Sequence, residues 1–172
     1  MFTKSDYTVE FFNAQSGYLS ARLYDLSNNA LHVHSLVKPE IEAQYFKDLE
    51  IWGDSIILAG TGIGYHLYGI IDRIRSKNVL LLEYFNEFAD LCRSEVVKDC
   101  NSIGVITSKS SDFKTTIMEF TKVEGSVQII RHPVSFRANK QFYDYFLNQI
   151  LSRGKTKHRN RQILLLGGRF FL

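Results

Sequence analysis

The hydrophobic pattern divides the chain into a strand-rich N-terminal part and a longer part in which apolar runs alternate with helix-length segments. Aromatic and β-branched residues are concentrated at residues 7–12 and 18–24, with a polar, glycine-containing stretch between them. Such runs, bounded by turn residues, are typical of β-strands. A third short run at residues 30–34 completes the pattern. We therefore predict a small antiparallel β-element over residues 1–36.

A helix is expected to begin at Pro39. Proline suits the first helical position because it has no N–H to leave unpaired there. Glu40 and Glu42 then fall in the first turn, where the helix dipole favours negative charge. Helical spacing predicts a single buried face made of Ile41, Tyr45, Phe46 and Leu49.

From residue 55 onward the pattern is that of alternating strands and helices. Short apolar runs lie at 56–59, 79–83, 103–107, 127–131 and 163–166. Segments long enough for helices lie at 65–75, 86–93, 112–122 and 137–152. Continuous apolar strands are expected where helices cover both faces of a parallel sheet. Residues 37–152 are therefore predicted to form an α/β domain, Rossmann-like and doubly wound, with a mainly parallel sheet.

The pattern of the C-terminal residues predicts a boundary between domains. Residues 153–161 are basic and contain a glycine, as in a linker, and residues 162–172 begin a fresh apolar strand followed by two glycines. We interpret the last segment as the start of a truncated second domain, so that the chain is a fragment of a longer protein. Without a covering helix, this apolar strand is expected to promote self-association.

Composition narrows the class of protein. The chain has 172 residues, of which 45% are hydrophobic, and a net charge of +3 that is too modest to predict nucleic-acid binding. Two cysteines, Cys92 and Cys100, are too few for a disulfide framework and are predicted to be buried thiols. No secretory signal is seen, and no apolar run approaches the roughly 20 residues that span a bilayer. We expect a cytoplasmic protein without a membrane span.

The main candidate site is a glycine-rich turn directly after the apolar run at 56–59. Gly60, Gly62 and Gly64 alternate there and precede a predicted helix. Glycine lets the backbone approach a ligand closely, and the free N–H groups at a helix start face the crevice above the sheet. Glu83 ends the next strand, about 20 residues on, where an acid can bond ribose hydroxyls. The predicted ligand-binding residues are Gly60, Thr61, Gly62, Gly64, Tyr65, His66 and Glu83.

The spacing excludes some nucleotide sites and leaves others open. A dinucleotide motif needs glycine where Tyr65 stands, and the chain has no P-loop. The form G-x-G-x-G resembles the first motif of S-adenosylmethionine-dependent methyltransferases, although Leu58 stands where those enzymes usually carry an acid. A third interpretation is that the glycines serve only close packing, in a ligand-free scaffold for protein–protein contact.

A family resemblance favours a further function. The segment G-x-G-x-G-Y-H with a following strand ending in Glu83 resembles the N-terminal domain of bacterial motility-associated-factor glycosyltransferases, a group that includes 6-hydroxymethylpterin diphosphokinase-like proteins. The segments 31–35 (LHVHS), 39–46 and 129–133 (IIRHP) resemble parts of the same family. The resemblance implies an N-terminal module that binds a nucleotide or nucleotide-sugar, in an enzyme that glycosylates flagellin or another surface protein. It carries over no catalytic residue, because the family's catalytic domain would follow this chain.

Several other polar residues are candidates of lower rank. His32 and His34 lie two residues apart, but no third ligand is evident at a suitable spacing, so no metal site is predicted and both are interpreted as ordinary strand positions. His66 could contact a phosphate, act as an acid or base, or bond to the backbone at the helix start. Two strand ends, Thr107-Ser108 and His132-Pro133, are further crevice positions that could touch a ligand.

Overall fold

A computed structural model describes residues 6–100 and 102–153 of the chain. The N-terminal part is a three-stranded antiparallel sheet of β1 (Thr8–Asn13), β2 (Leu19–Tyr24) and β3 (Ala30–His32), in that order. Gly17 and Asn28 supply the positive φ angles of its two turns. The predicted antiparallel β-element is therefore confirmed, although β3 ends two residues before the predicted position.

The segment after the sheet is helical, but the face that it buries differs from the predicted one. Pro39 starts a 3-10 turn (Pro39–Ile41), and α1 (Glu42–Phe46) follows. Tyr45 is 66% exposed, whereas Glu42 is only 7% exposed, so the predicted apolar face is wrong at Tyr45. The reason is that the Glu42 carboxylate turns inward and bonds to His34.

Four parallel strands form the second sheet. They are β4 (Ser55–Ala59), β5 (Asn78–Leu82), β6 (Ser102–Ile106) and β7 (Val127–Arg131), in the order β6-β5-β4-β7. Every residue of β4 is buried, as expected for a central strand covered on both faces. The structure thus confirms the predicted combination of α/β architecture and parallel sheet.

Helices join these strands and follow the last of them. Two of the predicted helices, 65–75 and 137–152, are interrupted. The helices are α2 (Tyr65–Tyr68), α3 (Ile71–Ile74), α4 (Asn86–Leu91), which continues into a π-helical turn (Cys92–Val96), α5 (Phe113–Lys122), α6 (Pro133–Ala138) and α7 (Lys140–Arg153). The predicted helix 65–75 breaks after α2, at Gly69. A Cβ on Gly69 would lie 2.2 Å from the carbonyl oxygen of Ala43, so glycine permits α1 and α2 to approach closely here.

The helices lie on both faces of the parallel sheet. Leu67 of α2, Ile74 of α3 and Cys92 pack in one apolar cluster, and Ile117 of α5 and Phe146 of α7 pack in the other. The chain thus changes face between β6 and β7, and β7 returns to lie beside β4. In open α/β sheets, the carboxyl ends of two such strands border the crevice where ligands bind.

The antiparallel sheet lies over this end of the parallel sheet. Ala21 and Val33 belong to the same apolar cluster as α5 and α7. The Phe11 ring meets the Phe88 ring edge-on at 5.7 Å, and the Tyr65 hydroxyl donates a 2.7 Å hydrogen bond to the carbonyl of Leu19. The N-terminal sheet therefore shares one core with the predicted 37–152 domain and covers the loops that follow β4 and β5.

Two of the predicted segments lie beyond the part of the chain that the structure describes. The predicted linker, apart from Arg153 at the end of α7, and the predicted strand of a second domain fall outside the described residues, and so does the predicted self-association through that strand. Within the described residues, none of the helices has both the length and the apolar character needed to cross a membrane.

Candidate functional site

The glycine loop between β4 and α2 is a tight turn of left-handed backbone. Gly60, Gly62 and Gly64 have φ angles of 77°, 53° and 96°. Glycine adopts left-handed backbone angles readily, whereas a residue with a Cβ is strained there. The loop lies at the carboxyl end of β4, next to β7, as a ligand-binding turn would.

The N–H groups of this loop already have acceptors within the protein. Thr61 and Gly62 donate to Oε2 of Glu83 at 2.7 and 3.3 Å, and Ile63 donates to Nε2 of His34 at 2.8 Å. The amide of Gly60 donates to the carbonyl of Leu82, and that of Gly64 to the carbonyl of Thr61. The turn therefore has the shape of an anion cradle, but a carboxylate and an imidazole of the same chain hold its donors.

Glu83 has the closest contacts to the loop. Its carboxylate is fully buried and also accepts hydrogen bonds from the Phe85 amide at 3.2 Å and the Tyr143 hydroxyl at 3.0 Å. Burial raises the pKa of Glu83, and the hydrogen bonds from Thr61, Phe85, Tyr143 and Gly62 oppose that rise. The structure brings the acid and the glycines together, as predicted, but the carboxylate points at loop amides instead of at open space.

His34 closes the loop from the other side. It is 3% exposed and lies after the end of β3 at His32, so its interpretation as an ordinary strand position is wrong. Because the Ile63 amide donates to Nε2, the proton of the neutral ring is on Nδ1, which lies 2.7 Å from Oε2 of Glu42. This pair was not among the predicted contacts; the signal that the sequence offers for it is a histidine eight residues before a first-turn glutamate.

The other predicted loop residues are also enclosed. Thr61 has no exposed surface, and its hydroxyl lies 3.3 Å from Oε2 of Glu83. Tyr65 is 8% exposed, and its burial raises the pKa of its hydroxyl to about 12. His66 is 1% exposed, with its ring 5.0 Å from that of Phe46.

Three histidines meet beside the loop. The ring of His132 lies 5.0 Å from that of His34 and stacks at 5.2 Å on that of His66. Burial lowers the pKa of His66 to about 3, and the neighbouring His34 adds to this effect. Burial and the two neighbouring histidines also hold the pKa of His132 well below its usual range. The surroundings of His66 and His132 therefore favour the neutral form of these two rings.

The two strand-end candidates have different surroundings. Thr107 forms a local turn, in which its amide donates to the Ser110 hydroxyl at 2.9 Å. His132 caps α6, because its Nδ1 accepts a hydrogen bond from the Ser135 amide at 3.3 Å. Of these two, the structure therefore brings only His132 into the group of residues around the glycine loop.

The two thiols should react at different rates. Both are free; Cys92 is buried with its pKa raised to about 12, and Cys100 is half-buried with its pKa raised by burial. Because the thiolate is the reactive form, we expect an aromatic disulfide reagent to modify Cys100 first and Cys92 only after denaturation. Cys100→Ser should abolish the reaction of the native protein. Rapid reaction of both thiols in native protein would contradict the buried position of Cys92.

Comparison of the chain with protein-family models, with curated protein sequences and with solved structures finds no match.

Proposed function

We propose that this chain is a Rossmann-like, doubly wound module that works through protein–protein contact within a cytoplasmic enzyme that glycosylates flagellin or another surface protein. The observation that supports the contact role is that Glu83 and His34 accept the hydrogen bonds of the loop amides that a nucleotide phosphate would use. The resemblance of the glycine loop and its flanking segments to motility-associated-factor proteins supports the glycosylation role.

The crowding around the loop adds to this support. A Cβ on Gly62 would lie 2.4 Å from Nε2 of His34, and one on Gly60 would lie 2.7 Å from Cβ of Ser135. Protein atoms therefore occupy the space that the glycines leave open, on both sides of the turn. A ligand over this loop would have to displace the segment that carries His34.

Nucleotide binding is the second candidate function, and one observation favours it. The loop lies at the carboxyl end of β4, beside β7 and at the change of face, where open α/β sheets bind ligands. A nucleotide-sugar or S-adenosylmethionine would bind there over Gly60–Tyr65, once His34 and Glu83 release the amides. A methyltransferase-like enzyme is the form of this proposal that needs no further domain.

Titration of the ¹⁵N-labelled chain with a uridine diphosphate sugar and, separately, with S-adenosylmethionine distinguishes the two functions. At millimolar ligand we expect the amide signals of Gly60, Gly62 and Ile63 to stay unchanged, because their donors are already bonded. His34→Ala removes the imidazole that accepts the hydrogen bond of the Ile63 amide. His32→Ala, at an exposed position two residues away, is its matched control. Saturable shifts of the loop amides in the parent protein would overturn the contact role and favour nucleotide binding.

The glycosylation role has its own test in the source organism. In-frame deletion of the gene is expected to lower the mass of a surface protein by the mass of its glycans, as measured by intact-protein mass spectrometry. Re-expression of the parent gene should restore the mass. Unchanged surface-protein masses after deletion would contradict the glycosylation role and leave the ligand titration as an independent measurement.

A further inference from the structure

Two of the three buried histidines, together with a glutamate, form a group of side chains from three separate parts of the chain. His34 follows β3, Glu42 starts α1, and His132 follows β7. They are 3%, 7% and 4% exposed. One ligand atom from each of these residues lies within 4.8 Å of the ligand atoms of the other two. Two imidazoles and a carboxylate are thus collected in a space that excludes bulk water.

His66 gives a second, independent observation at the same place. Its ring stacks on His132, and it is 1% exposed, yet neither ring nitrogen has a hydrogen-bond partner among the described residues. A buried imidazole must carry one N–H and one lone pair, and leaving both unpaired is costly. Two unpartnered nitrogens in a ring stacked on His132 mark a buried space in which polar groups lack partners.

The charge of the cluster supports the same interpretation. Glu42 places a carboxylate beside the imidazoles of His34 and His132, and among the described residues it accepts hydrogen bonds from the His34 ring and the Ser35 amide, at 2.7 and 3.4 Å. The ion pairs formed by the described Lys and Arg side chains lie elsewhere, on Glu10, Asp72 and Asp144. A divalent cation would supply a positive charge directly to this buried carboxylate.

We propose that His34, Glu42 and His132 bind a divalent transition-metal ion, next to the unpartnered ring of His66. Imidazole nitrogens with one carboxylate are the donor set that Zn²⁺ takes in proteins. The ion replaces the proton between Nδ1 of His34 and Oε2 of Glu42, and that proton moves to Nε2, so the ring stays neutral. Such an ion fastens the N-terminal sheet and α1 to the carboxyl end of β7, which is a role beyond the contact function proposed above.

This coordination has a specific consequence for the glycine loop. When Nδ1 of a neutral His34 binds the ion, Nε2 carries the ring proton and no longer accepts from the Ile63 amide. The Ile63 N–H, which now donates at 2.8 Å, then loses its acceptor. Hydrogen exchange at Ile63 should accelerate on metal binding, although the rest of the protein becomes more stable. A site that held the metal without His34 would not produce this opposite change.

The test uses the full chain without a polyhistidine tag, freed of metal with EDTA. We expect one equivalent of Co²⁺ to bind, with visible absorption typical of four-coordinate cobalt, and Zn²⁺ to displace it and raise the melting temperature. His132→Gln and Glu42→Gln should weaken binding about 100-fold or more. His32→Gln, at an exposed histidine of the same segment, should bind like the parent. The absence of saturable Co²⁺ binding in the parent, or full binding by both ligand variants, would overturn the proposal.

A measurement on the parent protein alone covers the case in which a ligand variant does not fold. Zn²⁺ is added to the ¹⁵N-labelled chain while the imidazole signals are followed. The ring signals of His34 and His132 should shift in a one-to-one titration, and those of His32 should not. Binding of Zn²⁺ that shifts His32, and leaves His34 and His132 unchanged, would show a surface site and overturn the proposal.

Discussion

Glu83→Ala is expected to destabilise the protein by about 4 kcal/mol or more, because several buried donors would lose their acceptor at a cost of about 1–3 kcal/mol each. Those donors are the amides of Thr61, Gly62 and Phe85 and the hydroxyl of Tyr143. A loss of this size is a large fraction of the roughly 5–15 kcal/mol that stabilises a domain. Urea unfolding, followed by circular dichroism, measures the loss.

Two comparisons make this result specific to the loop. Glu87→Ala makes the same change at an exposed position four residues later, and should alter stability by no more than about 0.5 kcal/mol. Tyr143→Phe removes one donor and leaves the carboxylate with its amide partners, so its cost should be about 1 kcal/mol. If Glu83→Ala costs no more than Glu87→Ala, the carboxylate does not hold the glycine loop in place.

Gly62→Ala is expected to destabilise the protein by about 3 kcal/mol, combining backbone strain with overpacking. Gly62 has a φ of +53°, and its new Cβ would lie 2.4 Å from Nε2 of His34 and 2.7 Å from Cγ1 of Val33. The clash would push the N-terminal sheet away from the turn. Denaturant unfolding gives the free energy, and amide exchange of Ile63 reports the loss of its bond to His34.

Gly17→Ala is the matched control for the Gly62 variant. Gly17 also has a left-handed backbone, with φ +84°, but nothing lies within 4 Å of a Cβ placed there. Its substitution should therefore cost only the backbone strain, about 1 kcal/mol. Equal losses for the two variants would contradict the close contact between Gly62 and His34.

Much of the fold could be predicted from local patterns. Continuous apolar runs located β4, β5, β6 and β7, because strands covered on both faces have no polar side to alternate with. The break of the predicted helix after Tyr68 could not be located, since a glycine within a helical pattern is tolerated in many helices. The cause is tertiary: the carbonyl of Ala43 approaches the backbone of Gly69.

The candidate site was predictable in part, for a related reason. The distance in sequence between the glycines and Glu83 correctly placed them together, because both follow neighbouring parallel strands. The direction of the Glu83 carboxylate depends on which residue covers the loop. That residue is His34, which follows β3, and no local pattern in the sequence predicts that this segment lies above the parallel sheet. His132 and His66 approach His34 only after the two sheets have packed, so spacing along the chain could not reveal the cluster.

The bonds of the glycine loop also bear on the kinetics of folding. The loop and its carboxylate are held by partners 22, 29 and 60 residues apart, through Thr61 to Glu83, Ile63 to His34, and Tyr143 to Glu83. Contacts between distant segments carry a loop-closure cost before they contribute stability. The turn should therefore become ordered late, after β4, β5 and α7 have assembled. Changes at Glu83 or Gly62 would then act mainly by speeding unfolding, and the lifetime of the native state would depend on this one small turn.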